Sequence, residues 1–370
     1  MSGLRGNVGC IGYADDLAIL SSDAFNTQVL MNIAYTASCK WRFDFSIKKC
    51  AVLKFGGNPT QDMFYLGPDA IITSDSYNHL GVTIYARGRM CITDIKKNIS
   101  SCKRAFYSTL GQSLYKTNLS PLSLSKVYWS VAVPKLLGNA EARHFSSLEL
   151  KEYESFHLKM AKDIQNLPCN SPNATALASL GWRSISMQID YLRLMFIHRL
   201  FLLQSSSMHS VFVIRRLIYI MLSGVYRISP LVLAIETCMK YDLAQVLVGW
   251  LNTGLLPSKN IWKSFINHKL DDIVHCNWRF ELSISHRLQF YRAIHISYQA
   301  IVWWKFAQKL PFLKKPCCTM LRLLCGTNIL AINVKMDVMR SLRYCMFCTG
   351  DHVEDLLHFV MVFNEGSFDS

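Results

Sequence analysis

No run of apolar residues in this chain approaches the ~20 that a membrane-spanning helix needs. The longest, Leu217 to Tyr226 and Leu231 to Ile235, stop well short, and Arg215 and Arg216 break the first one upstream. The N-terminus has no charged stretch leading into an apolar one, so no secretory signal is expected. There is no internal repeat and no low-complexity tract. Acidic residues are scarce, 25 against 40 Lys and Arg, and the formal charge of +15 calls for an acidic partner: nucleic acid phosphates or an anionic membrane surface. Cysteine is the exception to this sparseness. Thirteen are spread along the chain, an odd number that includes the adjacent pair Cys317 and Cys318. That is not a secreted disulfide framework, and it fits reduced thiols inside the cell, in cytoplasm or nucleus. No membrane partner is expected.

Half of the 370 residues are apolar, enough for a folded chain, and the length exceeds what one core usually fills, so two or three domains are expected. From Val8 to Ser22 two short apolar runs flank Asp15 and Asp16, which predicts a hairpin with the acids at its tip. Ser21, Ser22 and Asp23 offer caps for a helix of about 18 residues carrying Phe25, Val29, Leu30, Ile33 and Trp41 at helical spacing. Ala51 to Phe55, Ala70 to Thr73 and Tyr77 to Tyr85 read as strands. Helical periodicity then takes over in Ile92 to Leu110, Leu122 to Leu136, Leu148 to Ile164, Ser184 to Leu203, Asp242 to Leu251 and His286 to Gln308. The proline-rich stretch Asn166 to Asn173 reads as a linker and boundary.

Two adjacent aspartates on a tight turn supply the hard oxygens that the metal ions of phosphoryl transfer require. Taken alone, such a pair is an ordinary solvated turn. Its surroundings are more specific: Gly12-Tyr13-Ala14-Asp15-Asp16-Leu17-Ala18-Ile19-Leu20, then the helix, then Phe45-Ser46-Ile47-Lys48-Lys49-Cys50-Ala51-Val52-Leu53-Lys54-Phe55-Gly56, then Tyr77-Asn78-His79-Leu80-Gly81-Val82. In this order the three segments resemble the polymerase motifs of non-LTR (LINE-like) retrotransposon reverse transcriptases, RNA-directed DNA polymerases. Weaker likenesses follow at Leu180-Gly181-Trp182 and in the Cys345-Met346-Phe347-Cys348 and His358 tail, which is similar to a C-terminal Cys/His knuckle of such elements.

The resemblance implies an α+β fold: a partial polymerase palm over 1–85, a thumb-like helical region over 86–167, a mainly helical C-terminal region over 174–340 and a degenerate knuckle over 341–363. It implies that Asp15 ligates Mg (or Mn), that Asp16 supports the metal or the primer end, and that Tyr13 and Ala14 lie near the incoming deoxynucleotide triphosphate. Lys49 matches a lysine near the pyrophosphate, and Leu80 and Gly81 match a hairpin that supports the primer. The partners implied are an RNA template and a DNA primer. Only fourteen residues precede Asp15 and none is acidic. The strand that carries the family's other metal-binding aspartate, and the fingers, are therefore expected to be absent, and this chain is expected to be a truncated polymerase inactive by itself. The alternative is a non-catalytic nucleic-acid-binding protein derived from a retroelement.

Arg87, Arg89, Lys96, Lys97, Lys103 and Arg104 crowd around the first thumb-like helix with only Asp94 against them, and are expected to contact phosphates; the plain alternative is a solvated helix face. In the tail, Cys345, Cys348 and His358 offer three zinc ligands. A further cysteine is expected about five residues on, where Phe363 stands, so zinc is expected to bind poorly or not at all unless His352 substitutes.

Overall fold

The computed structural model describes residues 9–56, 62–80, 82–86, 92–117, 119–203, 208–223 and 229–327. They form an α+β chain, with short strands between Cys10 and Tyr85 and helices dominating thereafter. The chain divides into two compact units: Met1–Asp94 with Ala142–Phe145 and Arg199–Leu233, and Ile95–Glu141 with Ser146–His198 and Ala234–Ser370.

In the first unit β1 (Cys10–Tyr13) and β2 (Asp16–Ile19) pair antiparallel, with Tyr13 opposite Asp16. This is the expected hairpin. The helix α1 (Ala24–Trp41) has the expected 18 residues: the Asp23 carboxylate accepts from the Asn26 N–H at 2.8 Å, and Arg42 ends it in the left-handed region. Two more hairpins follow, β3 (Phe64–Leu66) with β4 (Asp69–Ile71) and β5 (Ser76–His79) with β6 (Val82–Tyr85). Among the described residues these remain three separate two-stranded sheets. What joins α1 to β3 is a side chain acting as a strand: Gln28 donates to the Tyr65 carbonyl at 2.7 Å and accepts from the Tyr65 N–H at 2.9 Å. Met31 of α1 packs with Phe64, Leu66 and Ile71 in a small buried core. Ala51 to Phe55, expected as a strand, contributes only a bridge between Val52 and Thr73. Gly56 then turns the chain at φ 78° before a ladder can extend.

The second unit is built from α2 (Ile92–Thr117), kinked at Gly111, then α3 (Pro121–Val127), a π turn over Tyr128–Ala132, and α4 (Val133–Leu136). The wide turn lies just ahead of Pro134, which lacks an N–H and crowds the preceding carbonyl, so the single helix expected here is divided. Next is α5 (Ser147–Ile164), opened by a reciprocal cap in which Ser146 and Glu149 each accept the other's N–H. The chain continues through α6 (Asn173–Ala178) and α7 (Ile185–Phe201), α8 (Met208–Ser223) of the first unit, then α9 (Pro230–Lys240) and α10 (Ala244–Thr253). It ends with α11 (Lys259–Ile284), α12 (Gln289–Ile294), α13 (Trp303–Lys309) and α14 (Lys314–Leu324). In α11 every fourth residue from Trp262 to Leu282 is buried, one continuous apolar stripe.

Two expectations are corrected here. The stretch Asn166 to Asn173 joins α5 to α6 within the second unit rather than separating two bodies. Its Leu167 and Ser171 are buried, and Arg322 donates to the Asn166 carbonyl. The helix expected over His286 to Gln308 is broken after Ile294, because residues 295–302 are held by the loop ahead of α7. Ile301 N–H donates to the Ser179 carbonyl at 3.0 Å and the Tyr298 hydroxyl donates to the Trp182 carbonyl at 2.5 Å.

That loop carries the Leu180-Gly181-Trp182 segment. Trp182 is buried, stacked 4.6 Å from the Tyr128 ring and 5.0 Å from the His157 ring, and its indole N–H donates to Ser125 Oγ. His157 is fully buried. Its Nε2–H donates to the Arg183 carbonyl and its Nδ1 accepts from the Tyr128 hydroxyl, both at 3.0 Å, which fixes one neutral tautomer. Gly181 has φ 66°, and a Cβ there would lie 2.9 Å from the Ala300 backbone nitrogen.

We expect Gly181→Ala to lower the urea and thermal midpoints of the protein, by about 1–2 kcal/mol for the left-handed backbone alone and more for the clash with Ala300. Stability should also depend on pH through His157. Burial pushes its pKa down from 6.5 to about 4, so the folded state resists a proton that the unfolded state accepts. The contribution is complete above pH ~6.5 and is lost as pH falls toward ~4, on the order of 3 kcal/mol. Urea titrations at stepped pH will follow it, and His157→Asn should flatten the slope.

Candidate active site

Three segments of the first unit carry the residues that the sequence singles out. The first is the β1–β2 hairpin, whose two-residue turn is Ala14-Asp15. Ala14 sits at φ 53°, a conformation in which its Cβ is crowded and which glycine would take freely. Tyr13, Ala14, Asp15 and Asp16 are all exposed, so both carboxylates stand at the tip toward solvent. The second segment is the short 3₁₀ turn Ile47–Lys49, which exposes Lys48 and Lys49. The third is the β5–β6 hairpin. Its loop begins with Leu80 at φ 51°, again a non-glycine residue in the left-handed region, and Gly81 lies outside the described residues.

Tyr77 joins the second of these to the third. Its hydroxyl donates to the Lys49 carbonyl oxygen. Its pKa is raised, first by burial and then by the neighbouring Cys50 thiol and the Asp16 carboxylate. The field of Asp16 therefore reaches the residue that anchors Lys49. Sequence reasoning misses Tyr77 as a site residue, although it opens the Tyr-x-x-Leu-Gly segment, and that position is the available signal.

The donor set suits magnesium in kind. Mg²⁺ takes hard oxygens, commonly one or two protein carboxylates with water and substrate phosphates in the remaining positions. Asp15 and Asp16 are the residues that would hold it. Among the described residues no group of three His, Cys, Asp or Glu side chains converges on a common point. Cys345, Cys348, His358 and His352 lie outside the described residues, as do Arg87 and Arg89.

The remaining basic residues are on α2, in the second unit. Ile95, Cys102, Phe106 and Leu110 are its buried face. Lys96, Lys97, Lys103 and Arg104 are exposed. The pairs 96/103 and 97/104 recur after two turns, so all four lie on one side of the helix. Lys103 Nζ rests 5.6 Å above the Phe156 ring, and with Lys159 it draws the Asp163 carboxyl down against the rise that burial imposes. The patch is a fixed row of cations on a helix anchored by its apolar face.

The hairpin turn yields a direct check. Ala14→Gly should relieve the left-handed strain and slow amide exchange across Cys10–Ile19 by about fivefold, equivalent to ~1 kcal/mol, whereas Ala14→Val should speed it. Compared with models of protein families, with curated proteins and with solved structures, the chain matches none.

Proposed function

We propose that this chain is a segment of an RNA-directed DNA polymerase of the non-LTR retrotransposon type, with a partial palm in the first unit, a thumb-like α2 region, and nucleic acid as its partner. The observation that carries the reading is Tyr77, which bonds the Leu80 hairpin to the lysine turn and lies within the field of Asp16; the Asp-Asp hairpin, the lysine turn and the Leu80 hairpin are the three segments that such a polymerase needs side by side. Non-glycine residues held at left-handed φ in both hairpin loops add support, because backbone strain concentrates where a fold holds a functional group in place. A divalent ion, when bound, supplies charge neutralisation on the triphosphate and the leaving oxygen. The chain's own residues present Asp15 and Asp16 on a turn fixed by a strand ladder, and in this reading Lys49 supplies the cation that faces the pyrophosphate.

Catalysis needs a carboxylate from a second element, and among the described residues none stands with Asp15 and Asp16. Primer extension on an RNA template with Mg²⁺ or Mn²⁺ is therefore expected only when a segment bearing that carboxylate and the fingers is supplied, and Asp15→Ala should abolish it. Extension by this chain alone, abolished in Asp15→Ala, would refute the partial-palm reading.

The exposed cation row of α2 favours a second reading, a nucleic-acid-binding protein derived from a retroelement and working without catalysis. Both readings require phosphates to meet α2. Binding of duplex across a salt series should weaken steeply, and Lys96→Ala/Lys97→Ala/Lys103→Ala should reduce the slope by about 0.9 log unit per log unit of salt for each phosphate no longer neutralised. An unchanged affinity and slope would remove these residues from the interface.

A further inference from the structure

The C-terminal end of α1 carries an unbroken alternation of cation and ring: Lys40, Trp41, Arg42 and Phe43. All four are exposed, and Trp41 is 73% open to water. An indole this open is unusual, since tryptophan is on average among the well-buried side chains. The backbone beneath these side chains is fixed. Arg42 caps α1 in the left-handed region, and its N–H and that of Phe43 both donate to the Ser38 carbonyl. The Phe43 ring is held edge-on by Phe45 at 5.2 Å, and Phe45 packs on the core of Met31, Phe64, Leu66 and Ile71. Lys48 and Lys49 follow on the same stretch, both exposed, so residues 40–49 hold four cations against Asp44 alone.

Other open apolar side chains of the first unit lack this company. Phe25 follows the Asp23 cap, and Ile33 has no charged residue within four positions. Phe55 stands beside Lys54, but Asp62 holds that ammonium at 3.5 Å. Bare apolar surface fits an apolar neighbour. Cations interleaved with open rings fit a partner that presents phosphates and flat π-faces together. An anionic membrane surface shares the charge, yet a helix that lies on one carries Lys and Arg along its polar face, and α1 has Lys40 alone. In a duplex the base faces are covered by their own stacking, whereas a single strand leaves them open.

We propose that the end of α1 binds single-stranded nucleic acid, with a base stacked on Trp41, Phe43 beside it, and the flanking phosphates on Lys40 and Arg42. The site deepens the nucleic-acid reading above and rests on it for the class of partner, but it belongs to the first unit and uses none of the α2 cations.

The test measures binding of the full chain, across a salt series, to three probes: a single-stranded RNA decamer, the same decamer paired with its complement, and vesicles of phosphatidylcholine and phosphatidylserine. Trp41→Ala should weaken single-strand binding about tenfold and leave duplex binding unchanged, and Trp41→Phe, which keeps a ring, should restore most of the loss. Lys40→Gln/Arg42→Gln should lower the single-strand salt slope by about 0.7 log unit per log unit of salt for each phosphate contact removed. All three positions are exposed, so the core is untouched in each variant. Single-strand binding unchanged in Trp41→Ala overturns the proposal, and so does an equal loss on the duplex. Vesicle binding that falls in Trp41→Ala while RNA binding does not overturns it in favour of a membrane surface. If Lys96→Ala/Lys97→Ala/Lys103→Ala changes the duplex slope and Trp41→Ala changes nothing, this site falls and the α2 interface stands. Single-strand binding lost in Trp41→Ala, with the α2 variant unaltered, upholds this site and removes α2. Binding of neither nucleic acid overturns both.

Discussion

The second unit depends on the burial of one indole. Trp182 stacks on both Tyr128 and His157, which are hydrogen-bonded to each other, donates to Ser125, and offers its carbonyl to the Tyr298 hydroxyl, so α3, the π turn, α5 and the segment after α12 all meet on it. The next residue extends the arrangement to α11, where Arg183 binds Asn267 and Asp271. A large aromatic side chain contributes several kcal/mol by burial, but only if its polar atom is satisfied and its neighbours can close around it. Gly181 meets the second condition, since its missing Cβ lets the Ala300 backbone approach.

The first unit is organised differently. Its core around Met31, Phe64, Leu66 and Ile71 is small, while Ile11, Tyr13, Leu17, Phe25, Ile33 and Trp41 are left exposed. Position there is set less by packing than by backbone pairing, by the Gln28 bridge to Tyr65 and by the Tyr77 link to Lys49. Such links fix direction well even where little apolar area is buried. The two carboxylates thus depend on a ladder of four residue pairs and one strained turn.

Cations and apolar stripes share the same helices in the second unit. On α2 the buried row from Ile95 to Leu110 holds the exposed lysines at fixed spacing, and on α11 the row from Trp262 to Leu282 does the same for Arg279. A cation on an anchored helix has little backbone freedom left to lose, unlike one on a basic loop.

The sequence by itself determined the elements whose signals are local: the hairpin around Asp15 and Asp16, α1 with its Asp23 cap, and α5, read from its periodicity over Leu148 to Ile164. Those follow from neighbours no more than four residues apart, through caps, turn chemistry and periodicity. Tertiary structure alone decided the rest. It broke the helix expected over His286 to Gln308, because Ser179 and Trp182 supply better partners to Ile301 and Tyr298 than a continued helix would. It reduced Ala51 to Phe55 to a single bridge and folded the Asn166 to Asn173 stretch into a unit. Each of these depends on residues distant in sequence brought together by packing, and no local pattern records which distant residue will arrive.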